Sequence, residues 1–175
     1  DLPGVGQNLQ EHPASAGWEV LAPGRADLDL TDSAAVQSWF HRMKPDAVIH
    51  AAGLVGGIQA NMANPVAFLT VNASIGQNII MAARASGVTR FLNLASTCMY
   101  PRHLDRPMSE DLILTGELEP TNEGYAIAKI LATRLCEYIR REDPALQYKT
   151  LIPCNLYGRH DKFDPAHSHL VPAVI

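Results

Sequence analysis

The chain has 175 residues, of which 47% are hydrophobic, enough for one domain with a real core and too many for a disordered chain. Its net charge of −4, without a basic block, sets nucleic acid aside as a partner, and no apolar run in the raw sequence approaches the length of a membrane span. Cys98, Cys136 and Cys154 are odd in number and not spaced for zinc, so they are expected as reduced thiols of a cytoplasmic protein, in keeping with a start, Asp-Leu-Pro-Gly, unlike a secretory leader.

Residues 1–16 are the atypical part. No apolar strand precedes Gly4-Val5-Gly6, and the glycine pattern is incomplete for a phosphate-binding turn. From Gly17 the text becomes regular. Trp18-Glu-Val-Leu-Ala22 reads as a short strand closed by Pro23-Gly24. Arg25 then stands where the second strand of a dinucleotide-binding domain meets the adenine ribose. An arginine there, with no acidic residue on the strand end, suits a 2′-phosphate and hence NADP. Thr31 or Asp32 caps a helix over Ala34 to Met43.

After Lys44-Pro45-Asp46, the nearly unbroken apolar run Ala47 to Ala51 reads as a buried parallel strand. It ends in Ala51-Ala-Gly-Leu-Val-Gly-Gly57, where small residues let a cofactor approach the backbone at Ala51, Ala52 and Gly53. Asn64-Pro65 opens a helix to about Ala85, closed by Gly87. Asn72 and Asn78 sit on it, Asn72 expected on its surface, with the alternative of holding the active-site geometry. Arg90 to Ala95 is a second central strand. The stretch from Met99 to Thr121 lacks periodicity and reads as a functional or mobile loop. A further helix runs from near Asn122 to about Arg141, with Ile127, Ile130, Leu131, Leu135 and Cys136 inward, and Gln147 to Pro153 forms the next strand. The sum is an α/β doubly wound parallel sheet, Rossmann-like, over residues 17–165. Its first strand is missing, and residues 166–175 begin a substrate lobe.

Tyr125 and Lys129 lie four residues apart, on one face of a helix and about 6 Å apart along its axis. An ammonium beside a phenol is expected to lower the phenol's pKa and let it exchange a proton at a substrate oxygen. Ser96, just beyond a strand, can hydrogen-bond the same oxygen.

Ser96 followed by Tyr125-x-x-x-Lys129, after alternating strands and helices, resembles the extended short-chain dehydrogenase/reductase family. Val55-Gly-Gly-Ile58, Ser96-Thr-Cys-Met-Tyr-Pro101, Leu118 to Lys129, Asn155-Leu-Tyr-Gly158 and His167 to Pro172 narrow the resemblance from about Trp18 onward. They are similar to the branch that epimerises and reduces GDP-4-keto-6-deoxymannose. The resemblance implies a reductase triad of Ser96, Tyr125 and Lys129, and an epimerising acid/base pair of Cys98 and His169. It implies NADP held by Gly6, Arg25, Ala51, Ala52, Gly53, Lys129 and Asn155, with Gly6 as the third glycine of the turn. A GDP-sugar substrate and a homodimer built on two long helices follow from it as well. Two other readings stand beside it: another NAD(P)-dependent sugar-nucleotide epimerase or dehydratase, and an inactive fragment that keeps the motifs without binding cofactor. The first 13 residues alone are also similar to a stretch of flavin-dependent glucose-methanol-choline oxidoreductases, a likeness nothing later in the chain supports.

Overall fold

The computed structural model describes residues 16–154 and residue 156. The chain divides into two units, one Asp29–Cys154 and the other comprising Asp1–Leu28 and Asn155–Ile175. In the terminal unit, Gly24 to Asp27 close a turn in which the Gly24 N–H donates to Asp27 Oδ2 at 3.0 Å and the Asp27 N–H to Gly24 O at 2.9 Å. Arg25 sits exposed in that turn. Trp18 to Ala22 form no strand, contrary to expectation. A strand needs a neighbour to take up its backbone groups, and five residues without alternation do not specify one. Trp18 and Leu21 remain solvent-exposed.

The larger unit is a parallel three-stranded sheet in the order β1-β2-β3, with β1 Ala47–His50, β2 Arg90–Leu94 and β3 Gln147–Leu151. Helix α1, Ser33–Met43, is capped by Asp32, whose carboxylate accepts from the Ala34 and Ala35 N–H groups at 2.9 and 3.0 Å. Lys44, in the left-handed region at φ 44°, ends it before Pro45. Between β1 and β2 run α2, Ile58–Ala63, and α3, Pro65–Ala85. Helix α2 is an element the glycine-rich text around it conceals. Between β2 and β3 runs α4, Glu123–Glu142. The register sets His50 beside Asn93 and Asn93 beside Thr150, one row across all three strands.

Phe91 and Tyr148 stack on neighbouring strands with centroids 5.0 Å apart, and the Tyr148 hydroxyl donates to Val88 O. Helix α3 packs against both α1 and α4. It is long and apolar enough to cross a membrane by length and composition, which corrects the expectation from the raw sequence; nearly half of its apolar window is buried within this domain. Close approach of α3 and α4 depends on Gly124, where a Cβ would stand 3.0 Å from Pro65 O. The inward face of α4 is also shifted from expectation. Ala126, Lys129, Ile130, Ala132, Thr133, Cys136 and Ile139 are buried, whereas Ile127 and Leu131 are exposed. Small alanines let the helix seat closely, and the bulkier pair, four residues apart, falls on the outer stripe.

The stretch from Met99 to Thr121 has its own packing. Met99, Tyr100, Leu112 and Ile113 join Ala95 and Ile130 in one buried cluster, with Leu104, Leu118 and Ile152 against it. A 3-10 turn at Glu110–Leu112 and an Arg102–Glu117 ion pair at 2.6 Å brace it. Scattered apolar residues closing on a strand end give no period to read.

Candidate active site

Strand β2 ends at Leu94, and Ser96 occupies the cap position of the 3-10 turn Thr97–Met99. The Ala95 N–H donates to Leu151 O at 2.9 Å, so this corner is tied to β3. Helix α4 passes over it. Lys129, 8% exposed, donates from Nζ to Leu94 O at 3.0 Å, and the same nitrogen stands 5.6 Å from the Tyr125 ring centroid. The buried ammonium thus has one hydrogen bond to the strand end and two N–H groups left for a ligand.

Burial pushes the Cys98 thiol above its ordinary range, while a hydrogen bond from Ser96 and the Lys129 charge pull against that rise. Burial lowers the Lys129 pKa, and Cys98 opposes that shift. Tyr125 is pushed up to about 12, first by burial and then by the Cys98 charge. This corrects the expected lowering of Tyr125 by Lys129. The ammonium lies over the ring and is engaged with Leu94 O, so loss of water around the phenol outweighs any help it gives the phenolate. Tyr125 here is a phenol that keeps its proton. Ser96, Cys98, Tyr125 and Lys129 therefore lie within reach of one another's charge or hydrogen bonds.

The small-residue turn after β1 is built differently. Asn72, expected on the helix surface, is buried on α3. Its Oδ1 accepts from the Leu54 N–H at 2.8 Å, while its Nδ2 donates to Leu54 O at 3.0 Å and to Phe68 O at 2.7 Å. A Cβ on Gly53 would meet Asn72 Oδ1 at 2.9 Å, so the turn can lie against the helix only with glycine there. Ala51 is exposed, and Ala52 and Gly53 are half-buried, in line with a ligand lying against this backbone. Asn78, further along the same helix, donates from Nδ2 to Leu30 O and Thr31 O at 3.0 and 3.1 Å.

His50 is a member of the site that residue types alone did not suggest. It is buried at the end of β1, and its pKa is lowered to about 4, mainly by burial and secondly by Lys129. The imidazole is therefore neutral, and it feels the Lys129 charge. Beside it, the buried Asn93 donates to Thr150 Oγ1 at 3.3 Å. Its signal was the single polar residue in an apolar strand. Asn72 had a signal too, since it falls on the same stripe as Phe68, Ile75 and Ile79. Arg25 belongs to the other unit. Gly6, Asn155 and His169 lie outside the described residues.

A parallel sheet bearing a pinned small-residue turn at one strand end and a Ser-Cys-Tyr-Lys group at the next defines a Rossmann-like α/β domain suited to a dinucleotide and proton transfer. The model of the NAD dependent epimerase/dehydratase family matches residues 4–175. The chain belongs to this family. GDP-L-colitose synthase of Yersinia pseudotuberculosis is 52% identical over 98% of this chain and 56% of its own length. GDP-L-fucose synthase of Azorhizobium caulinodans is 50% identical over 98% of this chain and 54% of its own length. Among solved structures, a GDP-D-glycero-L-gluco-heptose synthase from Campylobacter jejuni in the presence of NADPH is similar with a TM-score of 0.89 and 30% identity, over 97% of this chain and 50% of that one. The chain spans about half the length of the relatives it matches.

Proposed function

We propose that this chain is the cofactor-binding and proton-transferring part of an NADP-dependent enzyme that epimerises and reduces GDP-4-keto-6-deoxy-D-mannose to GDP-L-fucose. The observation that carries the reading is the pair of half-buried Tyr125 and buried Lys129 on α4, placed over the Ser96–Cys98 turn at the end of β2. Its relatives' names supply the substrate class.

When bound, NADPH supplies a hydride to the ketone carbon. Tyr125, which holds its proton well above neutral pH, gives it to the oxygen that becomes a hydroxyl. Ser96 donates a hydrogen bond to that oxygen, and Lys129 holds ribose hydroxyls with the N–H groups that Leu94 leaves over. Ala51, Ala52 and the pinned Gly53 give the cofactor a backbone surface. By the family resemblance, Arg25, which would suit a 2′-phosphate, Gly6 and Asn155 are the other residues that would hold NADP. Epimerisation needs a base on one face of the ring and an acid on the other. Cys98 and His169 take those parts, with Ser96 and Lys129 favouring the thiolate. We place the protein in the cytoplasm, with its three cysteines free. The exposed stripe of Ile127, Leu131 and Tyr138 along α4 supports pairing with a second copy.

In the full-length protein, Tyr125→Phe is expected to abolish NADPH oxidation while leaving exchange of sugar protons with heavy water. Cys98→Ser is expected to reduce that exchange most. Equal loss of both activities in both variants would sink this division of labour. Identity to the colitose synthase, at 52%, supports a second reading in which the sugar is the corresponding deoxy sugar. Parallel assays with the two keto-sugar nucleotides decide between them.

A further inference from the structure

His50, Asn93 and Thr150 stand side by side on β1, β2 and β3, in one polar row across the sheet. His50 is 4% exposed and Asn93 is fully buried. Toward the strand starts the row is walled by Phe91, which stacks on Tyr148 and lies 6.4 Å from His50 between ring centroids. On the helix side, a Cβ on Gly76 would stand 3.2 Å from the Ala132 Cβ and 4.0 Å from His50 Nε2. Polar atoms in such a place call for partners inside the protein. Yet two neighbours in the row, His50 Nδ1 and Asn93 Oδ1, are buried without one.

The order of donors and acceptors is fixed from the β3 end. Burial raises the Cys136 thiol to about 12, and a hydrogen bond from the Thr150 hydroxyl pulls against that rise, as a hydroxyl donating to sulfur does. With its proton given to Cys136, the Thr150 oxygen accepts, and it does so from Asn93 Nδ2 at 3.3 Å. Because Nδ2 is turned to β3, Asn93 Oδ1 is turned away from it, to the side where the neighbouring strand, about 4.8 Å away, carries His50. A carboxamide oxygen takes only a donor, so the imidazole nitrogen that meets it must be N–H. The proton then belongs on Nδ1, and Nε2 keeps a lone pair. That nitrogen lies under the crossing of α3 and α4 at Gly76 and Ala132, on the buried stripe of α4 that carries Lys129 one turn earlier.

We propose that His50 is a positioning residue for Lys129: the row His50–Asn93–Thr150–Cys136 closes into a chain of hydrogen bonds that holds the imidazole in its Nδ1–H form and turns the Nε2 lone pair toward the ammonium. Closing the chain takes a rotation of the imidazole and carboxamide planes, whose end torsions are soft. A lone pair beside a buried cation favours its charge, whereas an N–H there repels it. The titratable groups that share the Lys129 site are Tyr125 on its own helix and Cys98 on the turn after β2, while α3 brings the uncharged Gly76 to the row. The inference rests on the function proposed above for the task of Lys129, and its test needs no substrate.

That test is NMR on the full-length protein carrying nitrogen-labelled histidine and carbon-labelled lysine, with His50→Phe and Lys129→Met assigning the two signals. His50 is expected to hold its proton on Nδ1, and Asn93→Leu to speed exchange of that proton about 10-fold, the loss of one buried hydrogen bond. In His50→Phe, Lys129 is expected to titrate about one pH unit lower, and His50→Gln, which offers an acceptor again, to recover most of the difference. A proton on Nε2 overturns the proposal. So does an unchanged Lys129 titration in His50→Phe, which would make the imidazole packing alone. Should Asn93→Leu fail to fold, Thr150→Val frees the carboxamide to turn, and exchange there as slow as in the wild type overturns the chain. Failure of the wild type to turn over the keto-sugar nucleotide refutes the proposed reaction instead, and the two NMR readouts still decide the role of His50.

Discussion

The ends of β1 and β2 lie side by side on one sheet, and they are built on opposite principles. At the end of β1, the turn Ala51–Gly57 is positioned by neutral groups: the Asn72 carboxamide holds both sides of Leu54, and a missing side chain at Gly53 makes room for it. At the end of β2, Cys98, Tyr125 and Lys129 are ionisable groups, each shifted by burial in the direction that disfavours its charge. A ligand-holding turn needs shape, and uncharged hydrogen bonds supply it at little electrostatic cost. A proton-transferring site needs groups with adjustable charge and must tolerate the desolvation that comes with sheltering them.

The widest separation of these two principles is expected from Lys129→Met. It removes the cation at the end of β2 and leaves the β1 turn untouched. Reduction should fall by roughly 10²- to 10⁴-fold, the usual range for losing a proton-transfer partner. The Cys98 thiol should rise further, because the Lys129 charge helps hold it down. Stability should stay level or improve, since an apolar side chain of similar length replaces a buried ammonium. Parallel kinetic and urea-unfolding measurements check this. A variant that loses stability as steeply as activity would make Lys129 a structural strut.

His50 sharpens the comparison, because it stands at the end of β1 but feels the charge over β2. Its pKa is lowered from 6.5 to about 4, so in the folded chain it stays neutral where the unfolded chain already takes up a proton. Its contribution is therefore fully present above about pH 6.5 and is lost as pH falls toward 4. At its largest, that loss is about 3 kcal/mol. Unfolding free energies at pH 7.5 and 5, compared for wild type and His50→Gln, should show a shallower acid decline in the variant. Identical slopes would mean that other groups carry the acid sensitivity.

How much of this was legible in the sequence depends on how far each residue's environment extends along the chain. A cap at Thr31 or Asp32, found at Asp32, Pro65 as a helix start, and β1 and β2 as apolar runs are local facts, and the structure bears them out. The placement of Tyr125, Lys129 and Ser96 was legible because a four-residue spacing on a helix and a serine just past a strand are local facts. For Asn72 the buried stripe was legible but its role was not, because its partner Leu54 is eighteen residues away and a carboxamide suits surface and interior alike. Nor was the direction of the Tyr125 shift, since burial comes from the whole domain while spacing shows only the neighbouring charge. Trp18–Ala22 failed for the related reason that strand character belongs to a pair. Ile127 and Leu131 misled because size suggested core, whereas close packing of α4 selected alanine.

The smallest expected effect tests the neutral side of the comparison. Asn72→Ala removes three hydrogen bonds, yet two of them go to Leu54, whose backbone can turn toward solvent once released. The cost to folding should therefore be about 1–3 kcal/mol, well below the sum of three buried bonds. Function should suffer in a particular way. With Leu54 unpinned, the turn at Ala51–Gly53 samples several positions, and the cofactor must select one, which weakens binding without altering the proton donor. The dissociation constant for NADPH should rise while the rate at saturating cofactor stays near that of the wild type. If the saturated rate falls and affinity does not, Asn72 acts on the β2 end, and the division between a shape-built turn and a charge-built site fails.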